Sequence, residues 1–290
     1  MKPAHLQTPA EVRAAFLGAK KPLVRRGNDL DIEDMKLERA GAPLPLRTYR
    51  LREVDPIGAI AYFHGGGFIN GDLDSHDAVA CAITRETGCI IVSVDYRVLP
   101  DHPFPAAFND AVDVLRWLPG WAAQKGVDRV RIGAGGDSSG ANLALAAALE
   151  LRDELRLRAI WLAYPIIGAD FDTASYRENA DAPLLTRARC QRILHDYLGR
   201  PLLADDWRIA PLLRHDLDGL PAVVAIAAEL DPLRSDAEIL FDRLTMVAPG
   251  STLVRAERMP HGFLRWIGES AACAAVASES FAALRRLMTV

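Results

Sequence analysis

"VRIGAGGDSSGANLALAAAL" occupies residues 130–149, and its two halves differ in kind. The first half reads as a strand, "VRIGAG". The second reads as a helix, "ANLALAAAL". Between them Gly136, Ser138 and Gly140 form G-x-S-x-G. A strand–turn–helix junction is the context this pattern needs. Small flanking residues let the backbone turn sharply, and the serine then projects its hydroxyl above the sheet. A second reading is a helix N-cap, in which Ser138 or Asp137 satisfies orphan amides. The string alone leaves both readings open.

Working outward, apolar strand-like runs alternate with helical patterns from residue 58 onward. "AIAYFH" leads to a helix near 75–87. "CIIVSVDY" leads to a helix from about Pro105, interrupted near Pro119. "RAIWLAYPII" ends near residue 167, "PAVVAIAAEL" leads to "SDAEILFDRLTMV", and "STLVRAERM" leads to a closing helix. Continuous apolar strands separated by helices predict a mostly parallel α/β sheet covered on both faces. Upstream, "TPAE" is a capping box with proline at the first helical position, predicting a helix from Pro9 to Leu17 with Val12, Phe16 and Leu17 on one face. Strands are expected at "MKLERA" and "PLRTYRL". Residues 169–220 hold helix-like pieces and turns but no convincing strand, which suits an insertion over a site.

The chain has 290 residues and a net charge of −4, so no basic excess points to nucleic acid. No apolar run reaches the roughly 18 residues of a membrane span, and "MKPAHLQTPAEVRAAF" lacks a signal-peptide core. Cys81, Cys89, Cys190 and Cys273 lack metal-ligand spacing and read as buried small hydrophobes in a reducing, cytoplasmic compartment.

A serine nucleophile needs a base, and the base needs a carboxylate. Three histidines follow Ser138. His195 lies in an amphipathic helix and His215 in a polar turn. His261, in "MPHGF", lies just past a strand, and chemistry in a parallel sheet collects at strand carboxyl ends. Asp231 follows the strand "AVVAIAAEL", with Pro232 preventing its continuation. Glu229 belongs to the strand itself. Asp236 opens the next helix, where capping is its natural work. Asp231 has the right address, although a structural aspartate ahead of a proline turn has the same spelling.

"HGGGF" (64–68) follows another strand. Attack by Ser138 on a carbonyl makes an oxyanion that needs backbone N–H donors, and glycines let amides approach. A phosphate cradle would want the glycines opening a helix with a lysine nearby, and "HGGGFINGDLDSHD" offers neither. The glycines therefore read as an oxyanion hole. His64, Asp72, Asp74, His76 and Asp77 could pass for a metal set, but Asp74 and Asp77 suit capping and turn positions, so no metal is expected.

"HGGGF", "VDYRVLPDHPFPAA", "GDSSGANLA", "DPLR" and "HGF" occur in this order over nearly the whole chain from about residue 40. In this the sequence resembles the hormone-sensitive-lipase family of α/β-hydrolases, the bacterial group-IV esterases. The resemblance implies Ser138 as nucleophile, His261 as base and Asp231 as its partner. It implies oxyanion donors on the amides of Gly66, Gly67 and Ser139, no cofactor, and a small-molecule ester as the binding partner, with homodimers frequent in the family. It also implies a cap from the N-terminal segment (1–40) and part of 169–220, over a core of 41–168 and 221–290, with Phe68 and Trp207 near the substrate pocket. Ester hydrolysis on short- to medium-chain acyl groups is the expected activity. Amide hydrolysis and non-catalytic binding are the alternatives, although receptors resembling this family lack the histidine present here as His261. The sequence departs from the pattern in places. Ser139 replaces the usual alanine, adding a second hydroxyl beside the site. Ala141 replaces a glycine. "VLPDHP" stands for "LAPEHP", the N-terminal stretch is short, and "DPLRSDAE" carries an extra residue that unsettles the match of Asp236.

Overall fold

The computed structural model describes residues 4–19, 27–199 and 206–289. Its described strands are β1 (Leu30–Leu37), β2 (Leu44–Leu51), β3 (Ala59–Phe63), β4 (Ile90–Val94), β5 (Ile132–Asp137), β6 (Ala159–Ala163), β7 (Val223–Leu230) and β8 (Thr252–Pro260). They form one sheet in the order β1-β2-β4-β3-β5-β6-β7-β8. β1 and β2 pair antiparallel, β2 pairs antiparallel with β4, and every pair from β4 to β8 is parallel. The described helices are α1 (Pro9–Gly18), α2 (Asp77–Thr87), α3 (Ala106–Gln124), α4 (Ser139–Leu151), α5 (Ala174–Glu178), α6 (Arg187–Leu198), α7 (Arg234–Val247) and α8 (Ala271–Thr289).

The inner strands are buried along their whole length because both faces are covered. On one face Leu115 of α3, Leu143 of α4 and Leu240 of α7 pack with Ala61, Val92 and Leu162. On the other, Ile83 of α2 and Phe281 of α8 pack with Ile60, Ile91 and Trp161. β3 and β5 are neighbours, and the chain runs on from β3 to β4 on one side and from β5 to β6 on the other. The carboxyl end of β3 is thus a switch point of the sheet, where a crevice for chemistry opens.

Two expectations need correction. The first strand, Leu30–Leu37, starts before "MKLERA" and shares only Met35, Lys36 and Leu37 with it, because antiparallel pairing from Leu30↔Leu51 to Leu37↔Leu44 fixes its end and leaves residues 38–43 as the connection. α3 runs unbroken through Pro119. There Leu115, Leu118, Trp121 and Ala122 are buried, and the Trp117 and Trp121 rings lie 5.2 Å apart across the proline. Tertiary packing holds the helix where local preference would end it.

α1 begins as "TPAE" predicts. The Thr8 hydroxyl accepts the Glu11 N–H, and the Glu11 carboxylate accepts the Thr8 N–H. Its inner face differs from expectation. Val12 and Phe16 are half-buried, Arg13 joins them, and Leu17 points outward at 49 % exposure. Among the described residues of 169–220 there is no strand, only α5, α6, a short 3-10 helix at Pro211–Leu213 and turns. No helix among the described residues is long and apolar enough to cross a membrane.

Candidate active site

Ser138 stands where β5 gives way to α4, with φ 53° and ψ −116°. Its backbone N–H donates to the Ala163 carbonyl of β6, and no side-chain bond caps the helix. The N-cap reading of its hydroxyl is therefore not what the structure holds. Gly140 is required by proximity. A Cβ there would overlap the Phe63 carbonyl at the end of β3. The turn at Ser138 is tight because α4 starts directly against that strand.

The Ser138 Oγ lies 2.9 Å from His261 Nε2, and His261 Nδ1 lies 2.7 Å from Asp231 Oδ2. Asp231 follows β7 and is fully buried, and its other oxygen accepts the Leu233 N–H at 2.9 Å. The Tyr164 ring meets the imidazole edge-on at 4.9 Å. Such an arrangement suits the tautomer that carries its proton on Nδ1, facing the carboxylate, and turns Nε2 to the serine. His195 and His215 are exposed, away from this cluster.

After β3, Gly66 takes φ 138°, and a Cβ there would overlap the Asn70 carbonyl, since Gly66 O accepts the N–H groups of Asn70 and Ile69 in a tight turn. This loop is tied to the serine turn through Asp137. Asp137 Oδ1 accepts the Gly65 N–H at 2.8 Å and the Tyr62 O–H at 2.7 Å, and its other oxygen faces Tyr164 O–H at 3.4 Å and His76 Nε2 at 3.6 Å. Burial alone would raise this carboxyl. The His76 ring, the Tyr62 hydroxyl and the Gly65 amide outweigh it and bring the group down to about 2. Nothing in the sequence beyond its place beside Ser138 marked Asp137 for this work.

The Gly67 N–H donates to the Ser139 Oγ at 2.9 Å. Over Gly67 sits Ile193 of α6, within 3.2 Å of where a Cβ would lie. Phe68 is fully buried, its ring stacked on Tyr197 at 3.7 Å, so it offers no surface to a ligand in this state. Trp207 is half-buried, edge-on to Phe108 at 6.3 Å with the Arg214 guanidinium 4.6 Å over its ring.

The five residues weighed as a metal set have other partners. Asp74 and Asp77 face the Arg47 guanidinium, Asp77 also accepts the Tyr49 O–H, and Asp72 accepts the Ser75 N–H. His64 stacks on His76 and on Tyr96, and burial, aided by His76, pushes its ring down to about 3. All four cysteines are buried.

Asp236 is not the helix cap expected of it. α7 starts at Arg234 with Leu233 as N-cap, and Asp236 is buried with its Oδ2 accepting the N–H groups of Ile167 and Gly168 after β6. Burial pushes the carboxyl up to about 7, against the pull of those two amides. In the unfolded chain the proton leaves near 3.8, whereas the folded state keeps it to about 7. The folded state thus binds more protons within that window, and stability drains away as the pH rises through it. Asp236→Asn keeps one oxygen for both amides and carries no charge. Its melting temperature should gain on the parent from pH 5 to pH 8, by on the order of 1–4 kcal/mol in stability. A gap that stays constant or narrows contradicts this account of the carboxyl.

A family model described as alpha/beta hydrolase fold matches residues 60–265. Carboxylesterase NlhH of Mycobacterium tuberculosis is 35% identical over 269 residues, covering 90% of this chain and 84% of its own. Ethyl acetate hydrolase of Pseudomonas putida is 30% identical over 271 residues, covering 91% and 85%. Among solved structures, a Pyrobaculum calidifontis esterase superposes with a TM-score of 0.86 at 30% identity, covering 100% of this chain and 96% of that one.

Proposed function

The chain belongs to the carboxylic-ester hydrolases of the α/β-hydrolase fold, in the branch related to hormone-sensitive lipase, and from that membership we propose that it works through an acyl-enzyme on Ser138. The observation that carries the reading is the unbroken hydrogen-bonded line from Ser138 Oγ through His261 to the buried Asp231. Ser138 Oγ attacks the ester carbonyl carbon while His261 Nε2 takes its proton. The charge that develops on the carbonyl oxygen is met by backbone N–H groups of Gly66, Gly67 and Ser139. His261 then gives the proton to the leaving alcohol, and next removes one from the water that frees the acid. Asp231 holds the imidazole orientation and stabilises its cation throughout.

α1 and α6 act as the cap. Arg13 of α1 donates to the Ile69 and Gly71 carbonyls at 3.3 and 3.1 Å, directly beyond the glycine loop, and the Arg192 guanidinium of α6 reaches the His5 carbonyl at 3.5 Å. With Ile193 close over Gly67, room beside the reacting carbon is limited, which favours short- to medium-chain acyl groups. The ethyl acetate hydrolase among the relatives supports the short end.

A p-nitrophenyl ester series of rising acyl length, with the acetyl anilide as control, tests the reading. Ester turnover should fall at long chains and exceed anilide turnover by orders of magnitude. Phe16→Ala, on the inner face of α1, should widen the accepted length while acetyl turnover persists. Anilide turnover matching the ester would overturn the ester reading. A length profile unmoved in folded Phe16→Ala would overturn the cap.

A further inference from the structure

The Gly67 amide carries one hydrogen, and in this structure the Ser139 Oγ receives it at 2.9 Å. Ser139 opens α4 and is fully buried, so water does not compete for its hydroxyl. That hydroxyl also interacts with the Tyr96 phenol. The Tyr96 O–H itself is donated to the His64 carbonyl at 2.7 Å. Ser139 thus holds the Gly67 proton in a dry place beside the Tyr96 phenol. The Gly67 hydrogen points at a protein oxygen where alanine at this position would leave it facing the site.

We infer that the Ser139 hydroxyl withholds the Gly67 amide from the developing oxyanion, so that two donors, the amides of Gly66 and Ser139, carry the charge until the third is released. The inference rests on Ser138 as the nucleophile. The hydroxyl acts through another group, so Ser139's side chain is a positioning residue and its backbone N–H remains a donor. A full oxyanion donor changes kcat by about 10²–10³-fold. The bond to Ser139 is neutral and weaker than a bond to an oxyanion, so part of that effect is already recovered as charge builds.

Ser139→Ala frees the amide. It should raise kcat for p-nitrophenyl acetate by roughly 3–10-fold with KM little changed, a fraction of one donor's effect. It should tighten a trifluoromethyl ketone, whose hemiketal places an oxyanion in the same place, by a similar factor. The melting temperature should fall, because the buried bond from the Gly67 amide to the hydroxyl is lost. A side chain with a merely structural role would lower stability and leave both kcat and inhibitor affinity unmoved, and that result overturns the inference. So does a lower kcat, which would mean that the hydroxyl holds the loop in its working position. Ser138→Ala run alongside separates the two levels. If that variant still turns over, the nucleophile reading fails. If it is dead, the Ser139 result judges this inference alone.

Discussion

Asp231→Asn is expected to lower kcat by about 10⁴-fold with little change in KM, by analogy with the same change in serine proteases. The carboxylate is fully buried and uses each oxygen once, one on His261 Nδ1 at 2.7 Å and one on the Leu233 N–H at 2.9 Å. An asparagine amide can face only one of these two donors with its oxygen, and its NH₂ then meets the other. Either the ring is turned to the wrong tautomer or the Leu233 amide loses its acceptor. In both cases no negative charge remains to stabilise the imidazolium. No nearby acid takes over. Glu229 is exposed and accepts the Arg258 N–H at 2.5 Å, and Asp236 is committed to Ile167 and Gly168. Steady-state kinetics on folded Asp231→Asn and Asp236→Asn at one pH decide the matter. A crippled Asp236→Asn beside an active Asp231→Asn would move the acid to the other side of "DPLRSDAE".

The second large effect should come from Asp137→Ala, a residue that never meets the substrate. Its carboxylate joins the glycine loop, through the Gly65 N–H, to the residue directly before Ser138. Truncation leaves that amide and the Tyr62 hydroxyl without an acceptor in a buried place. Each buried unpaired group costs about 1–3 kcal/mol, so a loss of roughly 2–5 kcal/mol in stability is expected. Because the proposed oxyanion donors of the loop follow Gly65 directly, kcat should fall by about 10²-fold or more, with KM less affected. Asp137→Asn keeps an acceptor for Gly65 and should recover part of both losses. Thermal unfolding and the kcat-to-KM split, measured on the pair, test this. Full activity in Asp137→Ala would show that the loop holds its place without the carboxylate.

The parts of the site that the sequence made legible are those where chemistry and backbone geometry coincide. Gly140 must be small because α4 starts against Phe63, and Asp231 falls just past its strand because the proline after it stops the ladder. The proline constraint is local, and the glycine falls within a five-residue spelling, so a motif displays both even though the Gly140–Phe63 approach is itself tertiary. The contributions of Asp137, Tyr164 and Asp236 are tertiary. Asp236 reads as a helix cap in the sequence but falls in the first turn of α7, where the packing on the segment after β6 turns it inward toward residues 167–168. Phe68 lies in a motif near the site, yet its orientation depends on Tyr197 of α6, which no spacing reveals. Pro119 shows the converse, a strong local signal overruled by the buried face of α3. The α/β alternation survived intact because the inner strands are buried on both faces and read as continuous apolar runs.

The central claim is that Ser138 alone forms the covalent bond. The direct measurement is reaction with diethyl p-nitrophenyl phosphate, followed by peptide mass mapping. Phosphorus would bond to the nucleophilic oxygen, p-nitrophenolate would leave, and the proton would pass to His261. The account predicts a single diethylphosphoryl adduct on Ser138, appearing in step with loss of esterase activity and absent from Ser138→Ala. A stoichiometric adduct on the neighbouring Ser139, or complete inactivation with Ser138 unmodified, would contradict it.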